Sequence, residues 1–336
     1  MITSIVLLIV SLVAILLGAE LFTNGIEWFG RKLQLAEGAV GSVLAAVGTA
    51  LPETMIPIIA ILFSKGSANH EIGIGAILGA PLMLSTLAFF VTGAAVFFFK
   101  ARKRRSLKMH VDYIILGRDL RTFFIVYSVA IASSFLKFHW MKIIAAVFLL
   151  GAYAYYVRKT MTRECPVDEP EELHRLHFHR KEGHPRLRII VSQVVAALML
   201  IVGGADIFVK NLSFVALSSG IPALVLATII TPIATELPEK FNSVIWIRRK
   251  KDTLALGNIS GAMVFQSSIP TAVGILFTNW VLTPQALAAA IITLAASIFA
   301  WAELTFKKRL SPYTLLSGIF FYAAYLVYTF VLAPTK

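Results

Sequence analysis

The chain has 336 residues, 58% of them hydrophobic and only 15% charged, with a mean hydropathy of +0.80. Soluble domains carry about 25% charged residues, so the composition excludes a soluble globular protein and points to an integral membrane protein. The formal charge of +13 does not indicate a nucleic-acid binder, because Lys and Arg cluster in short links between apolar runs. The single cysteine, Cys165, excludes an internal disulfide and a Cys-cluster metal site.

Ten apolar segments follow along the chain, at about 3–29, 36–64, 71–99, 112–135, 138–157, 189–210, 220–247, 253–278, 283–305 and 313–332. Long continuous apolar runs exclude an outer-membrane barrel, whose strands alternate in polarity. The first run has no basic residue before it and no A-x-A-like stop, so it reads as a retained helix rather than a cleaved signal. Of the 31 Lys and Arg, 23 fall in links on one side and five (Lys65, Lys137, Lys142, Lys210 and Lys336) on the other. The rich side holds Arg31 and Lys32, the run Lys100 to Lys108, the 158–188 link, Arg248 to Lys251, and Lys307 to Arg309. That bias makes it cytoplasmic and leaves both termini outside.

The segments repeat. Gly18-Ala19-Glu20 and Gly204-Ala205-Asp206 stand 186 positions apart, as do Thr49-Ala50-Leu51-Pro52-Glu53 and Thr235-Glu236-Leu237-Pro238-Glu239. Gly75 to Ala80 and Gly257 to Ala262 follow at an offset of 182. Five spans per half is an odd number, so the second half starts from the opposite side of the membrane. The expected fold class is an all-α membrane protein of ten transmembrane helices, built as two inverted five-helix repeats. Residues 1–157 form the first repeat with its key element at about 36–90, 158–188 a cytoplasmic link, and 189–336 the second repeat with its key element at about 220–272.

Glu53 and Glu239 are expected in the middle of spans 2 and 7, where a charge costs about 2.5–3.5 kcal/mol on insertion scales. Thr49 and Thr235 precede them by four residues, on the same helical face. Pro52 and Pro238 leave the carbonyls of Gly48 and Ala234 without helical donors. A carboxylate, a hydroxyl and a freed carbonyl supply the oxygen ligands that a hard cation such as Ca²⁺ requires. The plainer reading, a Glu paired with a basic neighbour, has no Lys or Arg candidate in span 2. Gly75-x-x-x-Gly79 and Gly257-x-x-x-Gly261 suit close helix packing. Polar residues accompany the second copy (Asn258, Ser260, Gln266, Ser267 and Ser268), whereas the first has Ala76, Leu78 and Leu84 at the places of Asn258, Ser260 and Gln266.

These elements resemble the paired alpha-repeats of the calcium/cation antiporter superfamily, which includes the sodium/calcium exchangers. The family pattern, G-T-S-L-P-E followed by G-N-x-x-G-S-N, reads here as Gly48-Thr49-Ala50-Leu51-Pro52-Glu53 with Gly75 onward, and Ala234-Thr235-Glu236-Leu237-Pro238-Glu239 with Gly257 onward. The resemblance implies that Glu53 and Glu239 are the central Ca²⁺ ligands and that Thr49 and Thr235 offer further oxygens. It also puts Gln266 where exchangers carry Asp or Asn. The pattern's serine is replaced at four positions: by Ala50, Ala80 and Ala262, and by Glu236, three residues before Glu239. Oxygens used by sodium sites are thereby lost and a third carboxylate is gained. Like charges that close favour holding one proton between them, so H⁺ stands beside Na⁺ as a driving ion. Glu236 facing an aqueous vestibule is the plainer alternative.

The metal-ligand candidates are therefore Glu53, Glu239, Thr49, Thr235, Glu236 and Gln266. The expected function is secondary antiport of a divalent cation, Ca²⁺ first, for Na⁺ or H⁺ by alternating access. Mg²⁺ or Mn²⁺ is the alternative cargo. A membrane-embedded metal-dependent enzyme is disfavoured, because no H-E-x-x-H, G-x-S-x-G or P-loop occurs. A channel is disfavoured because buried carboxylates suit occlusion better than rapid passage. No cofactor is expected, the ions being cargo. Partners are inorganic cations and the lipid bilayer, without nucleic acid, and the protein is a monomer or homodimer in the plasma membrane. In the central link, His174 and His177 with His179 nearby could hold a regulatory transition metal, although such stretches are more often solvated. Arg118, Asp119 and Arg121 read as an ion-pair cluster at the membrane surface with no transport role.

Overall fold

A computed structural model of the chain describes residues 1–32, 50–64, 66–161, 175–179 and 185–332, with the side chains of 30, 31, 161 and 237–242 outside that description. Thr49, the side chain of Glu239, Cys165, His174 and His184 therefore lie outside the described residues. The described residues are helical almost throughout. Helix α1 spans Ile2–Lys32, α2 Leu51–Ile58, α3 Ser67–Met83, α4 Phe89–Ala101, α5 Tyr113–Ser133 and α6 His139–Met161. After the central link come α7 Leu187–Ser219, α8 Ala223–Arg248, α9 Asp252–Gln266, α10 Ile269–Phe277, α11 Pro284–Lys307, α12 Pro312–Leu316 and α13 Gly318–Val327. A π-helical turn at Leu84–Ala88 makes α3 and α4 one continuous helix, and others follow α2 at Ile59–Phe63 and α13 at Tyr328–Leu332. Among the described residues, seven helices are long and apolar enough to cross a membrane.

Local chemistry explains the helix ends. The Asp112 carboxylate accepts from the Ile114 and Ile115 amides at 2.8 and 3.1 Å, capping α5. Thr283 and Ser311 cap α11 and α12 in the same way, each followed by a proline in the first turn, where the missing N–H costs nothing. Gly220, with φ of 71°, ends α7 in the left-handed conformation.

Helices α1 and α7 cross through reciprocal glycines. A Cβ on Gly18 of α1 would stand 2.8 Å from Ile201 Cγ1 and 3.0 Å from the Ala197 carbonyl. A Cβ on Gly204 of α7 would stand 2.8 Å from Ile15 Cγ1 and 3.0 Å from the Ser11 carbonyl. Each partner in one contact lies 186 positions from its counterpart in the other, as a two-fold relation between the two helices demands. Elsewhere α3 packs along α8, α5 along α9, and α6 along α10.

Three basic strings meet at one end of the bundle. Arg105 donates to Asp252 through Nη1 at 2.7 Å and Nη2 at 2.9 Å, and to the Ile247 carbonyl at 2.7 Å. This joins the 100–108 and 248–251 stretches, and Lys308 Nζ lies 5.8 Å from the centre of the Tyr113 ring. At the far end of α5, Trp280 Nε1 donates to the Ala130 carbonyl at 2.9 Å and the Lys142 ammonium donates to the Asn279 carbonyl.

In the central link, residues 175–179 dock on the α1–α7 crossing. Asn24 Oδ1 accepts from Gln193 Nε2 at 3.0 Å and from the His177 amide at 3.3 Å, while Gln193 Oε1 accepts from the Phe178 amide at 2.9 Å. The His177 ring faces the exposed Glu20 carboxylate at 3.6 Å. Among the described residues no group of three or more His, Cys, Asp or Glu could hold a metal ion.

Candidate ion-binding site

Helix α2 starts at Leu51 with Ala50 as its N-cap and Pro52 in the first turn. Glu53 therefore occupies the first turn of α2; residues 36–49 of the expected second span lie outside the described residues. Proline suits the opening turn because that N–H has no intrahelical acceptor, and the carboxylate gains from the positive end of the helix dipole. Glu53 is 6% exposed. Its helix packs against α3, α7, α8 and α10, which places it within the packed interior.

The second-half residues sit on α8 and α9. Helix α8 continues through positions 232 and 238 although both are proline, so the carbonyls of Thr228 and Ala234 have no amide donor four residues on. Thr235 is buried, and its hydroxyl donates to the Thr231 carbonyl at 3.1 Å. Glu236 is 1% exposed, and its Oε1 accepts from Gln266 Nε2 at 3.1 Å. This contact ties the middle of α8 to the last residue of α9. In this structure Glu236 is buried and does not face an aqueous vestibule. The backbone of Glu239 is helical one turn further along α8.

At Gln266 the polypeptide leaves α9 and restarts as α10 at Ile269. Thr271 donates to the freed Gln266 carbonyl at 2.9 Å, and Ser268 to the Val264 carbonyl at 2.7 Å. The hydroxyls of Thr231 and Ser267 are buried and make no hydrogen bond as donors or acceptors among the described residues. Sequence reading passed over Thr231, although its place four residues before Thr235 puts it on the same face. The interior thus holds two buried carboxylates, an amide, several hydroxyls and carbonyls freed by proline, which are oxygen types that a hard cation takes, and it brings Glu236 and Gln266 into contact.

Of the ion-pair cluster read from sequence, Arg118 and Asp119 do pair, and Asp119 is buried by packing. Asp119 is 2% exposed, and its Oδ1 accepts from Arg118 Nε at 3.1 Å and Nη2 at 2.9 Å. Its Oδ2 accepts from Ser260 Oγ at 2.8 Å. Arg121 alone of the three is exposed. Charge content marked this stretch as a membrane edge, but the packing of α5 on α9 covers Asp119.

The sequence profile of the family described as "Sodium/calcium exchanger protein" matches residues 3–159 and 189–333. The chain is 24% identical over 290 residues to a "Putative antiporter CaxA" of Alkalimonas amylolytica, covering 85% of this chain and 84% of that protein. It is 24% identical over 279 residues to "Sodium/calcium exchanger MaX1" of Methanosarcina acetivorans, covering 77% and 78%. Among solved structures, it resembles an H⁺/Ca²⁺ exchanger, CAX, with a TM-score of 0.69 at 16% identity over 99% of this chain and 82% of that one. The sodium-calcium exchanger NCX_Mj gives a TM-score of 0.57 at 18% identity over 100% and 99%. With a profile spanning both halves and relatives matched along most of their length, this multi-pass membrane protein belongs to the sodium/calcium exchanger family, whose members are ion antiporters.

Proposed function

We propose that the chain exchanges a divalent cation, Ca²⁺ in first place, for Na⁺ or H⁺ by alternating access. The ion site is formed by Glu53, Glu239, Thr49, Thr235, Glu236 and Gln266. The observation that carries this reading is the buried Glu236 carboxylate, held by Gln266 across two helices in a chain with a second buried carboxylate at Glu53. Relatives named as a sodium/calcium exchanger and as a putative antiporter, and a similar fold described as an H⁺/Ca²⁺ exchanger, support Ca²⁺ as cargo.

Ten spans in two inverted repeats, 1–157 and 189–336, form the frame. The reciprocal Gly18 and Gly204 contacts support that symmetry. The protein lies in the plasma membrane with both termini outside and the 158–188 link in the cytoplasm. The junction of the 100–108 and 248–251 strings through Arg105 and Asp252 supports one shared basic side, as the charge rule requires.

Glu236 stands where the family pattern has serine, and with Glu239 one turn away it favours a proton as the driving ion. Reconstituted protein loaded with ⁴⁵Ca²⁺ under separate Na⁺ and pH gradients tests this. Proton coupling predicts flux driven by the pH gradient, inhibited by acid, and a weaker pH dependence in Glu236→Ser. Na⁺-driven flux with an unchanged pH profile in Glu236→Ser returns the protein to the sodium-coupled reading. Glu53→Gln and Glu239→Gln should each abolish divalent exchange, and wild-type rates in either well-folded protein refute the site. Competition by Mg²⁺ and Mn²⁺ in the same assay ranks the alternative cargo.

A further inference from the structure

Helix α9 carries Gln266 to Glu236, and it is tethered by side chains at three levels. At its first residue, Asp252 takes both terminal nitrogens of Arg105. At its last, Gln266 donates to Glu236. Between them Ser260 donates to Asp119 at 2.8 Å. At 1.5 Å of rise per residue, the tethers lie about 12 Å and then about 9 Å apart along the axis.

The middle tether is elaborate for a packing contact. Asp119 is buried on α5, and both its oxygens are engaged, one by Arg118 and one by Ser260. Tyr156 of α6 stands against the arginine of this pair, with the Arg118 guanidinium 5.4 Å from the centre of its ring. Helices α5 and α9 thus meet at one carboxylate, and α6 packs on its arginine partner. An apolar side chain would fill the same space without the cost of a buried charge. What the charge adds is direction: a hydroxyl bonded to an ionised oxygen is held in a narrow range of distance and angle. Ser260 lies between Gly257 and Gly261, neither of which has a side chain to set the height of the helix.

We infer that Asp119, acting through Ser260, is a positioning residue that sets the axial register of α9 and so seats Gln266 against Glu236. This rests on the reading of Gln266 as part of the ion site. The 3.1 Å contact between Gln266 and Glu236 lies near the long end of the normal hydrogen-bond range. A slip of one residue's rise, about 1.5 Å, breaks it.

The test compares Ca²⁺ KM in proteoliposomes for Ser260→Ala, Ser260→Thr, Gln266→Ala and the double variant Ser260→Ala with Gln266→Ala, with thermal unfolding of each measured in detergent. Ser260→Ala leaves the pair of Asp119 and Arg118 in place. It should raise the KM about threefold, the effect of losing one hydrogen bond between membrane helices, while maximal flux and unfolding temperature stay near wild type. Ser260→Thr keeps the hydroxyl and should restore the KM. In the Gln266→Ala background Ser260→Ala should add almost nothing, because its effect runs through Gln266. A role in stability alone would lower the unfolding temperature and leave KM unmoved. A raised KM in Gln266→Ala beside a wild-type KM in Ser260→Ala overturns this inference alone, as does full multiplication of the two effects in the double variant. A wild-type KM in Gln266→Ala overturns the site reading, and this inference with it.

Discussion

Helices α3 and α9 carry the same small-residue motif 182 positions apart in the chain, yet they are held by different forces. In α3, Gly75 and Gly79 bring the helix against the Leu224 and Thr228 carbonyls of α8, and Leu78 and Leu84 are fully buried in the main core. In α9 the places of those leucines are Ser260 and Gln266, both hydrogen-bonded to buried carboxylates. The backbones diverge at the same point. Leu84 opens a π-helical turn that keeps the helix continuous, whereas the matching Gln266 ends α9 before a restart at Ile269. A side chain that only fills space tolerates a continuous helix; one with a polar partner gains from a break that frees its carbonyl for Thr271. One copy has become scaffold and the other carries polar groups.

This contrast can be broken by experiment. The largest effect is expected from Arg105→Ala, which leaves Asp252 buried at the start of α9 without its ion-pair partner, held by the His110 amide at 2.9 Å; it should lower stability by about 3–5 kcal/mol. Replacing both partners, Arg105→Met with Asp252→Leu, should recover most of that loss, and detergent-phase thermal unfolding reads both. Equal stability of Arg105→Ala and wild type would show that polar tethers do not hold α9. Next, Leu78→Ala should cost about 2–5 kcal/mol through the cavity it leaves. Gly79→Ala follows at about 1–3 kcal/mol, since its methyl meets backbone of α8 that cannot swing aside. At the equivalent positions of α9 the stability effects should be small. Ser260→Ala should cost only about 0.6 kcal/mol, the mean for hydrogen bonds between membrane helices. Gly261→Ala should be neutral or favourable by up to about 1 kcal/mol of helix propensity, because the added carbon would stand 3.6 Å from the Tyr156 hydroxyl. Similar losses at Gly79 and Gly261 would erase the distinction between the copies.

Much of the molecule was legible from residue order. Apolar run length located most of the described helices, the 186 and 182 offsets exposed a doubled motif, and the matched Leu-Pro-Glu elements singled out Glu53 and Glu239. The same motif frame led to Glu236 and Gln266, which the fold brings into contact. Thr231, by contrast, had no place in a repeated motif and no charge to draw attention.

Hydrophobicity, charge bias and internal repetition are properties of composition and spacing, so the sequence by itself determined that this is a helical membrane protein with a doubled motif. The start of α2 at Leu51, which puts Glu53 in a first turn, and the burial of Asp119 were decided by tertiary structure. The groups that fix α9 lie far apart in the chain: Ser260 is 141 positions from Asp119, and Arg105 is 147 from Asp252. Hydropathy assigns each charge a depth from its neighbours in sequence, which put Asp119 at the membrane surface. Its burial depends on which helix packs across it, and only the close approach of α5 and α9 sets Ser260 beside Arg118 as the donors to this carboxylate.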